Sequence, residues 1–257
     1  MEKLKKNDLD LFRKLGRAIL DYNLIEDNER VLIAVSGGKD SVTLLDLLRK
    51  NLIYRVLPIN YELNVFHLSI TENDQYQIIE SYCKEYNIPF YHKNSNLLQI
   101  VMKEKRNPCY LCSQIRRKWI FDIADNLKIK KIALGHTKDD IVTTSLMNIF
   151  YHRICASQLV KLPILNDKFV IIRPLAYIDE KEIIRYKERY RLPVFKQHCT
   201  IGDNKRRKFV QNLINKLEKD IPQIKDNIFA AFRNPSYNFF LDRYFAPIDY
   251  KGKKYRP

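Results

Sequence analysis

Short runs of apolar residues alternate along the chain with segments whose apolar residues recur every three or four positions. The runs are typical of strands buried on both faces of a parallel sheet, and the recurrence is typical of helices that cover such strands. Strands are therefore predicted at 31–35, 63–68, 89–92, 131–135 and 169–172. Helices are predicted at 3–22, 40–48, 73–86, 113–127, 138–150 and 179–190.

This alternation predicts an α/β fold, an open, mostly parallel twisted sheet with helices on both faces. A basic segment at 103–112 contains Pro108 and is predicted to be a loop. Two further helices, at 204–219 and 222–233, are basic and follow the alternating part. The predicted divisions are an N-terminal helix at 1–25, a domain carrying the Cys-x-x-Cys segment at 26–195, and a basic helical extension with its tail at 196–257.

The charge of the chain is strongly positive and unevenly distributed. Lys and Arg number 46 against 30 Asp and Glu, a formal net charge of +16 in 257 residues, and residues 179–257 alone carry +9. Such a field favours a polyanionic partner, most often a nucleic acid, although an ordinary basic surface would give the same count. The balance therefore favours RNA or DNA as a partner.

Five cysteines, an odd number, occur in a chain with no export signal, which favours a reducing compartment and hence the cytoplasm. No run of about 18 apolar residues is present, so no membrane span is expected. Paired cysteines in such a compartment more often serve metal or redox chemistry than disulfides.

A phosphate-binding loop is predicted where the first strand meets the next helix. Its glycines allow a tight turn and let backbone amides approach an anion, and the helix N-terminus adds its positive end. Lys39 supplies a point charge, and Asp40 beside phosphates suits Mg²⁺. The spacing matches neither the Walker A loop nor the dinucleotide fingerprint. The predicted nucleotide-binding residues are Ser36, Gly37, Gly38, Lys39, Asp40 and Ser41.

Cys109 and Cys112 form a Cys-x-x-Cys pair that suits zinc, a redox pair, iron–sulfur ligation or two unligated thiols. Zinc is disfavoured because no second such pair exists. With Cys199, the pair would hold a cubane iron–sulfur cluster that leaves one iron open. Basic residues bracket the pair, which suggests that they steer RNA phosphates, although a solvated surface would explain them equally. They are Lys103, Lys105, Arg106, Arg116 and Arg117.

The loop resembles that of the PP-loop ATP pyrophosphatases, which split ATP between its α and β phosphates and commonly adenylate their substrate. From about residue 10 to about residue 235 the chain is similar to one group of them, the tRNA 2-thiocytidine biosynthesis (TtcA) family. The segments that carry this resemblance, beyond the loop, are Cys109–Arg117, Ile132–Ile141, Asn148–Tyr151 and Ile171–Tyr177.

The resemblance implies an ATP-dependent sulfurtransferase that uses Mg²⁺ and a [4Fe–4S] cluster to replace the C2 oxygen of cytidine 32 in tRNA. It implies a sulfur donor such as a cysteine desulfurase, and a homodimer is possible. Cys109 and Cys112 match two cluster ligands, with Cys199 expected as the third and Cys155 as its substitute. The second nucleotide-side motif is matched by Gly135, His136, Asp139 and Asp140. Lys39, Asp40 and Asp140 are the expected catalytic residues.

The chain departs from the family pattern in two places. Where the family has Pro-Cys-x-x-Cys-Gly, this chain has His198-Cys-Thr-Ile-Gly202, so the third cluster ligand stays open between Cys199 and Cys155. The family tends to place an acid after the second strand, where this chain has Ser69. The backbone of His67 and Leu68 is expected to frame adenine instead, because that needs only main-chain groups.

Three rival functions follow from the same residues. A related PP-loop enzyme could thiolate a uridine, but those relatives carry further cysteine pairs that are absent here. Adenylation could instead serve ligation of lysine or an amide to a tRNA base, which would leave the cysteines unexplained. A non-catalytic iron–sulfur or zinc module that binds RNA would leave the phosphate loop unexplained.

Overall fold

The structure is a computed structural model that describes residues 6–95, 97–102, 108–195 and 205–236. Its strands are β1 (Glu29–Ala34), β2 (Tyr61–Ser69), β3 (Phe90–Asn94), β4 (Lys131–Ala133), β5 (Lys161–Ile164) and β6 (Phe169–Ile172). They form one sheet in the order β3-β2-β1-β4-β6-β5. Every pair is parallel except β5 with β6, so the predicted mostly parallel sheet is confirmed.

Helices cover both faces of this sheet, as the sequence predicts. They are α1 (Lys6–Asp21), α2 (Lys39–Tyr54), α3 (Gln77–Glu85), α4 (Leu97–Met102), α5 (Pro108–Asn126), α6 (Lys138–Met147), α7 (Glu180–Tyr190), α8 (Lys205–Asp220) and α9 (Ile224–Arg233). A single π-helical turn at Asn148–His152 continues α6. Within the described residues, no helix combines the length and the apolar character that a membrane crossing requires.

The loop predicted at 103–112 is wrong in its second half, because α5 begins at Pro108 and therefore contains the cysteine pair. Proline is well accepted in the first turn of a helix, where its missing N–H would have no intrahelical partner. Residues 103–107 lie outside the described part of the chain. The sequence also does not predict β5, which is a four-residue edge strand interrupted by Pro163 and gives only a weak strand signal.

Strand β1 is buried on both faces of the sheet. Val31 and Ile33 pack into the larger core cluster, and Leu32 between them packs into the cluster formed with α5. This follows from the alternation of side chains along a strand, which sends neighbours to opposite faces. The position of the loop that follows β1 is therefore fixed by packing on both sides of the sheet.

The strand order reverses at β1. From β1 the chain moves outward to β2 and β3, and β4 then returns to the other side of β1. In open α/β sheets, ligands bind in the crevice at the carboxyl ends of the strands where the order reverses. The segments after β1 and after β4 meet at this crevice.

The flanking helices pack against the sheet domain. α1 buries Phe12 and Leu15 in the same core cluster as β1. α8 buries Val210 and Ile214 against Val142 of α6. The domain boundaries drawn from the sequence at residues 25 and 195 stay predictions.

A buried ion-pair network fastens α2 to its neighbours. The Asp46 carboxylate accepts hydrogen bonds from the hydroxyls of Tyr82 (2.5 Å) and Tyr186 (2.7 Å), and it pairs with Arg49 (2.7 Å) and Lys50 (3.0 Å). Burial by itself would raise the pKa of Asp46, but the charge of Lys50 and the hydrogen bonds outweigh it and lower the pKa below its ordinary value. The network orients the helix that carries the phosphate loop.

We expect Asp46→Ala to lower the free energy of unfolding by about 3–5 kcal/mol, because Lys50 is left buried without its counter-charge. The control Asp125→Ala removes an exposed pair with Lys168 and should cost under about 1 kcal/mol. Urea denaturation measures both.

Since the folded pKa of Asp46 is depressed, its contribution to the free energy of unfolding is complete above the ordinary pKa of 3.8 and is lost as the pH falls below that value. A variant as stable as the wild type at pH 7 would contradict this account.

Candidate active site

The loop between β1 and α2 folds around its two serines. The Ser41 hydroxyl accepts the Ser36 amide (3.1 Å) and donates to the Gly38 carbonyl (3.0 Å). Gly38 precedes the first turn of α2, and no side chain caps that helix start. Amides at the start of a helix have no intrahelical acceptor and point outward with the positive end of the helix dipole. The loop can therefore bind an anion through its backbone.

Gly37 is required by the shape of this loop. Its φ is +81°, and a Cβ at this position would lie 2.5 Å from the ring of Phe195. The Phe195 amide also donates to the Gly37 carbonyl at 2.9 Å. The buried Phe195 ring thus packs against the loop at Gly37, and the sequence does not predict this contact.

Lys39 and Asp40 begin α2 and form an ion pair at 3.0 Å. Lys39 also contacts Glu180, at the start of α7, at 2.6 Å. The second carboxylate oxygen of Asp40, Oδ1, is buried and has no hydrogen-bond partner among the described atoms. Burial raises the pKa of Asp40 and Lys39 opposes the rise, while the charges of Asp140 and Glu180 add to it. An unpaired buried carboxylate oxygen near two further acids fits a divalent cation such as Mg²⁺.

Gly135 brings the end of β4 against the start of α2. A Cβ at Gly135 would lie 2.8 Å from the backbone nitrogen of Ser41 and 2.9 Å from the carbonyl carbon of Asp40. Both of these obstacles are backbone atoms, which cannot move aside cheaply. Only glycine lets the segments that follow β1 and β4 meet this closely.

His136 faces the crevice in its neutral form. Burial and the charge of Arg173 lower the pKa of His136 to about 4. The Arg173 Nε donates to His136 Nδ1 at 3.2 Å, so the remaining proton of the neutral ring sits on Nε2. His136 can therefore act as a hydrogen-bond donor toward a ligand at neutral pH.

The two neighbouring acids of α6, Asp139 and Asp140, have different hydrogen-bond and ion-pair partners. Asp140 accepts the Thr137 amide at 3.0 Å, pairs with Arg207 of α8 and lines the central cavity. Asp139 instead accepts the Glu180 amide (2.6 Å) and the ammonium of Lys225 (2.8 Å), which ties α6 to α7 and α9. This difference favours Asp140 over Asp139 as the functional acid.

The His67 side chain fixes the end of β1 from within the fold. Its Nδ1 lies 2.7 Å from the Val35 carbonyl, and its Nε2 lies 3.1 Å from both carboxylate oxygens of Asp74. Leu68 lines the cavity. The predicted contact of the His67 and Leu68 backbone with adenine stays a prediction.

A cavity of about 1260 Å³ joins these segments with one face of α5. Half-buried Cys112 lines it and packs beside the apolar residues Ile70, Leu97 and Val101. The phosphate loop and a cysteine of the predicted metal centre therefore face the same space. The predicted site residues that line the cavity are Ser36, Gly38, Asp40, Ser41, Leu68, Cys112, Arg116, Arg117, Gly135, His136 and Asp140.

The other cysteines differ in position. Cys109 lies one helical turn before Cys112 in α5, and its side chain is outside the described part. Cys199 also lies outside the described residues, as do Lys103, Lys105 and Arg106. Cys155 is exposed and is not among the cavity-lining residues, whereas Cys83 is buried in the core. On the described part of the chain, Cys155 is a poor substitute for Cys199.

Three arginines are among the residues that line the cavity. Arg116 and Arg117 of α5 lie there with Arg173, which follows β6. Burial and the charge of Arg117 lower the pKa of Arg173 to about 10, which still leaves it charged at neutral pH. Arg173 is buried, Arg116 is half-buried and Arg117 is exposed, and the three guanidinium groups together favour an anion in the cavity.

Comparison with known proteins identifies the family. Residues 8–218 match the PP-loop domain family. A relative from Francisella tularensis is 32% identical over 245 residues, which is 93% of this chain and 91% of that protein. One from Acinetobacter baumannii is 35% identical over 243 residues, covering 91% of this chain and 78% of that protein. Both are named tRNA-cytidine(32) 2-sulfurtransferase. The chain belongs to this sulfurtransferase family.

Among solved structures, this chain is similar to the U34-tRNA thiolase NcsA from Methanococcus maripaludis, whose structure is described with its [4Fe-4S] cluster. The TM-score is 0.72 at 28% identity, and the match covers 90% of this chain and 81% of NcsA. The predicted membership of the TtcA family and the predicted fold are thereby confirmed.

Three charged residues of the site are not among the site residues predicted from the sequence, although Arg173 lies in the Ile171–Tyr177 segment that carries the resemblance. Glu180 pairs with Lys39, Arg207 pairs with Asp140, and Arg173 contacts His136. Arg173 directly follows a buried strand, and a charge at that point is a usable signal in the sequence. Glu180 and Arg207 start helices far along the chain, and no local pattern indicates their partners.

Replacement of Gly135 by alanine should lower both stability and ATP affinity, because its Cβ would overlap the backbone that begins α2. We expect a loss of about 1–3 kcal/mol in the free energy of unfolding and weaker ATP binding by calorimetry. The matched control is Gly16→Ala, whose Cβ would have side-chain atoms of Leu57 as its nearest neighbours, at 3.3 Å, and not backbone. Unchanged ATP affinity in Gly135→Ala would contradict the assigned packing.

Proposed function

We propose that the protein is an ATP-dependent tRNA sulfurtransferase that replaces the C2 oxygen of cytidine 32 with sulfur. The observation that carries this proposal is the shared cavity, which both the phosphate loop and Cys112 line. One compartment can then hold the base while it is activated and while it receives sulfur. Membership of the sulfurtransferase family supports the same reaction and the same substrate.

ATP would bind with its β and γ phosphates in the loop. The Gly37 and Gly38 backbone, the N-terminus of α2 and the hydroxyls of Ser36 and Ser41 offer donors there, and Lys39 adds a positive charge. The buried Oδ1 of Asp40 would hold Mg²⁺, which neutralises phosphate charge when bound. Neutral His136 would donate from Nε2 on the cavity side.

The sulfur side of the site would be built on α5. Cys109 and Cys112 lie one turn apart, which suits two ligands of one cluster. Cys199, outside the described residues, is the proposed third ligand on the strength of the family resemblance. A [4Fe–4S] cluster held by these three cysteines supplies an open iron and the transferable sulfur when bound.

The reaction proceeds in two displacements. The C2 oxygen of cytidine attacks the α phosphorus of ATP, the bond from that phosphorus to the bridging oxygen breaks, and pyrophosphate remains in the loop. A sulfide sulfur then attacks C2, the bond from C2 to oxygen breaks, and AMP leaves with both electrons of that bond. Lys39 and the loop amides would stabilise the first leaving group, and Arg173, which also lines the cavity, would stabilise AMP.

The remaining partners follow from this chemistry. The tRNA phosphates would be steered by Arg116 and Arg117, together with Lys103, Lys105 and Arg106 beyond the described part. Each turnover consumes one sulfur, so a cysteine desulfurase or a sulfide pool must restore it. A reducing cytoplasm is the proposed location, and a homodimer is a possible assembly.

We expect Lys39→Ala to lower tRNA-stimulated pyrophosphate release by about 100-fold or more, because the developing pyrophosphate charge loses a cation. The matched control is Lys168→Ala, which removes an exposed lysine that forms an ion pair with Asp125 at 2.8 Å. Pyrophosphate release with purified tRNA measures both variants. Undiminished release in Lys39→Ala would refute the assignment of the loop.

We expect anaerobically purified protein to be brown and Cys112→Ser to lose most of its iron. Cys155→Ser is the matched control and should keep iron and colour, because Cys155 is exposed and does not line the cavity. Iron content and visible absorbance measure the difference. Colourless wild-type protein would instead favour base ligation over thiolation.

A second candidate, thiolation of uridine 34, is favoured by the similarity to the NcsA thiolase. Mass spectrometry of tRNA nucleosides from cells with and without the gene separates the two. Loss of 2-thiocytidine supports the first proposal, and loss of 2-thiouridine supports the second.

A further inference from the structure

An aromatic surface beside the cavity is not used by the proposed chemistry. The π-helical turn after α6 exposes Phe150 and Tyr151, with 48% and 36% of their surface accessible. Arg206 of α8 lies over the Tyr151 ring, 5.2 Å from its centroid. Phe209, 58% exposed, follows Arg206 by one turn of the same helix. We call Phe150, Tyr151, Arg206 and Phe209 the aromatic patch.

The charge around the aromatic patch suits an anion. α8 begins with four consecutive cations, Lys205 to Lys208, and its first turn contains no acid. Cations at a helix N-terminus oppose the positive end of the helix dipole, so they do not stabilise α8 itself. One of them, Arg207, pairs with Asp140. The run therefore favours an external polyanion.

The aromatic patch borders the cavity through two connections. Arg206 contacts the patch ring Tyr151, while its neighbour Arg207 reaches Asp140 in the cavity wall. The segment after the π-helical turn leads from the patch to Gln158, which also lines the cavity. It is held in place by a hydrogen bond from the Asn148 side chain to the Ala156 carbonyl at 2.8 Å. A ligand on the patch would lie next to the cavity.

We propose that the aromatic patch binds unpaired bases of the tRNA anticodon loop by stacking, and so presents the target nucleotide to the cavity. This inference rests on the proposed function. Single-stranded loops are the usual targets of RNA-binding proteins, which stack splayed bases on aromatic rings and on arginine. The cations of α8 contact the flanking RNA phosphates, and these contacts fix the position of the anticodon loop relative to the nucleotide site of the protein.

A second copy of the chain is the competing occupant. In a two-fold symmetric contact the same patch faces itself, so the cationic run at Lys205 to Lys208 would lie opposite its own copy. Juxtaposed like charges oppose such an association, whereas RNA supplies the complementary charge. The chemistry of the patch therefore favours RNA.

The test measures the affinity of the protein for an unmodified anticodon stem–loop RNA at fixed salt. Phe150→Ala combined with Phe209→Ala should raise the Kd roughly tenfold or more, because two stacking platforms are lost. The KM for tRNA in pyrophosphate release should rise, while kcat at saturation and ATP affinity stay within about twofold. Leu20→Ala, an exposed leucine of α1 with 66% of its surface accessible, is the matched control.

Two single changes separate stacking from general surface effects. Tyr151→Phe keeps the ring and should bind RNA like the wild type, whereas Tyr151→Leu should bind more weakly. Arg206→Gln should lower the slope of log Kd against log salt by about one. Equal RNA affinity in Tyr151→Phe and Tyr151→Leu, with the slope unchanged in Arg206→Gln, would overturn the proposal.

Failure of the inference and failure of the proposed function give different results. Wild-type protein that does not bind the RNA would contradict the proposed function. If the wild type binds the RNA and the double variant binds it equally well, only the role of the aromatic patch is overturned. The same conclusion follows if the double variant loses a dimer, as seen by light scattering, without losing RNA affinity. A photoreactive phenylalanine at position 150, irradiated in complex with full-length tRNA, supplies an independent test. Crosslinks in the anticodon loop are expected, and crosslinks confined to the acceptor arm would overturn the assignment.

Discussion

The close approach of Gly135 to the backbone of Asp40 and Ser41 is the constraint on which the site depends. It requires β4 to lie directly beside β1, with both strands ending at the same edge of the sheet. The phosphate loop, His136 and Asp140 then converge without any long side chain having to span the crevice. Because β1 is buried on both faces, this convergence is maintained by packing of the whole sheet.

The acids and cations of the site form ion pairs, but these pairs do not satisfy all of their polar atoms. Lys39 is shared between Asp40 and Glu180, and one oxygen of Asp40 has no partner among the described atoms. Arg173, which lines the same cavity, is buried near Arg117, and the charge of Arg117 contributes to lowering the pKa of Arg173. The cavity therefore presents acids that suit a cation together with guanidinium groups that suit an anion, which is the arrangement that a metal–triphosphate complex would complete.

Much of this arrangement is predictable from local patterns, because apolar runs and glycine positions report directly on buried strands and tight turns. The loop at Ser36–Ser41 and the motif after β4 both lie where the alternation places them. What fails is the start of α5, since proline is as compatible with a helix start as with a loop. The partners Glu180 and Arg207 could not be predicted, because they depend on how distant helices pack rather than on sequence spacing.

The placement of the cysteines adds a further physical requirement. Cys112 lies among Ile70, Leu97 and Val101, so its immediate neighbours are apolar even though charged side chains also line the cavity. An iron–sulfur centre is protected from water by such neighbours. The same helix also brings Arg116 and Arg117 to the cavity, so α5 presents both apolar and charged side chains to it. A cavity lined by both the start of α2 and α5 is what the proposed reaction requires, because one base would then be activated and would receive sulfur without leaving it.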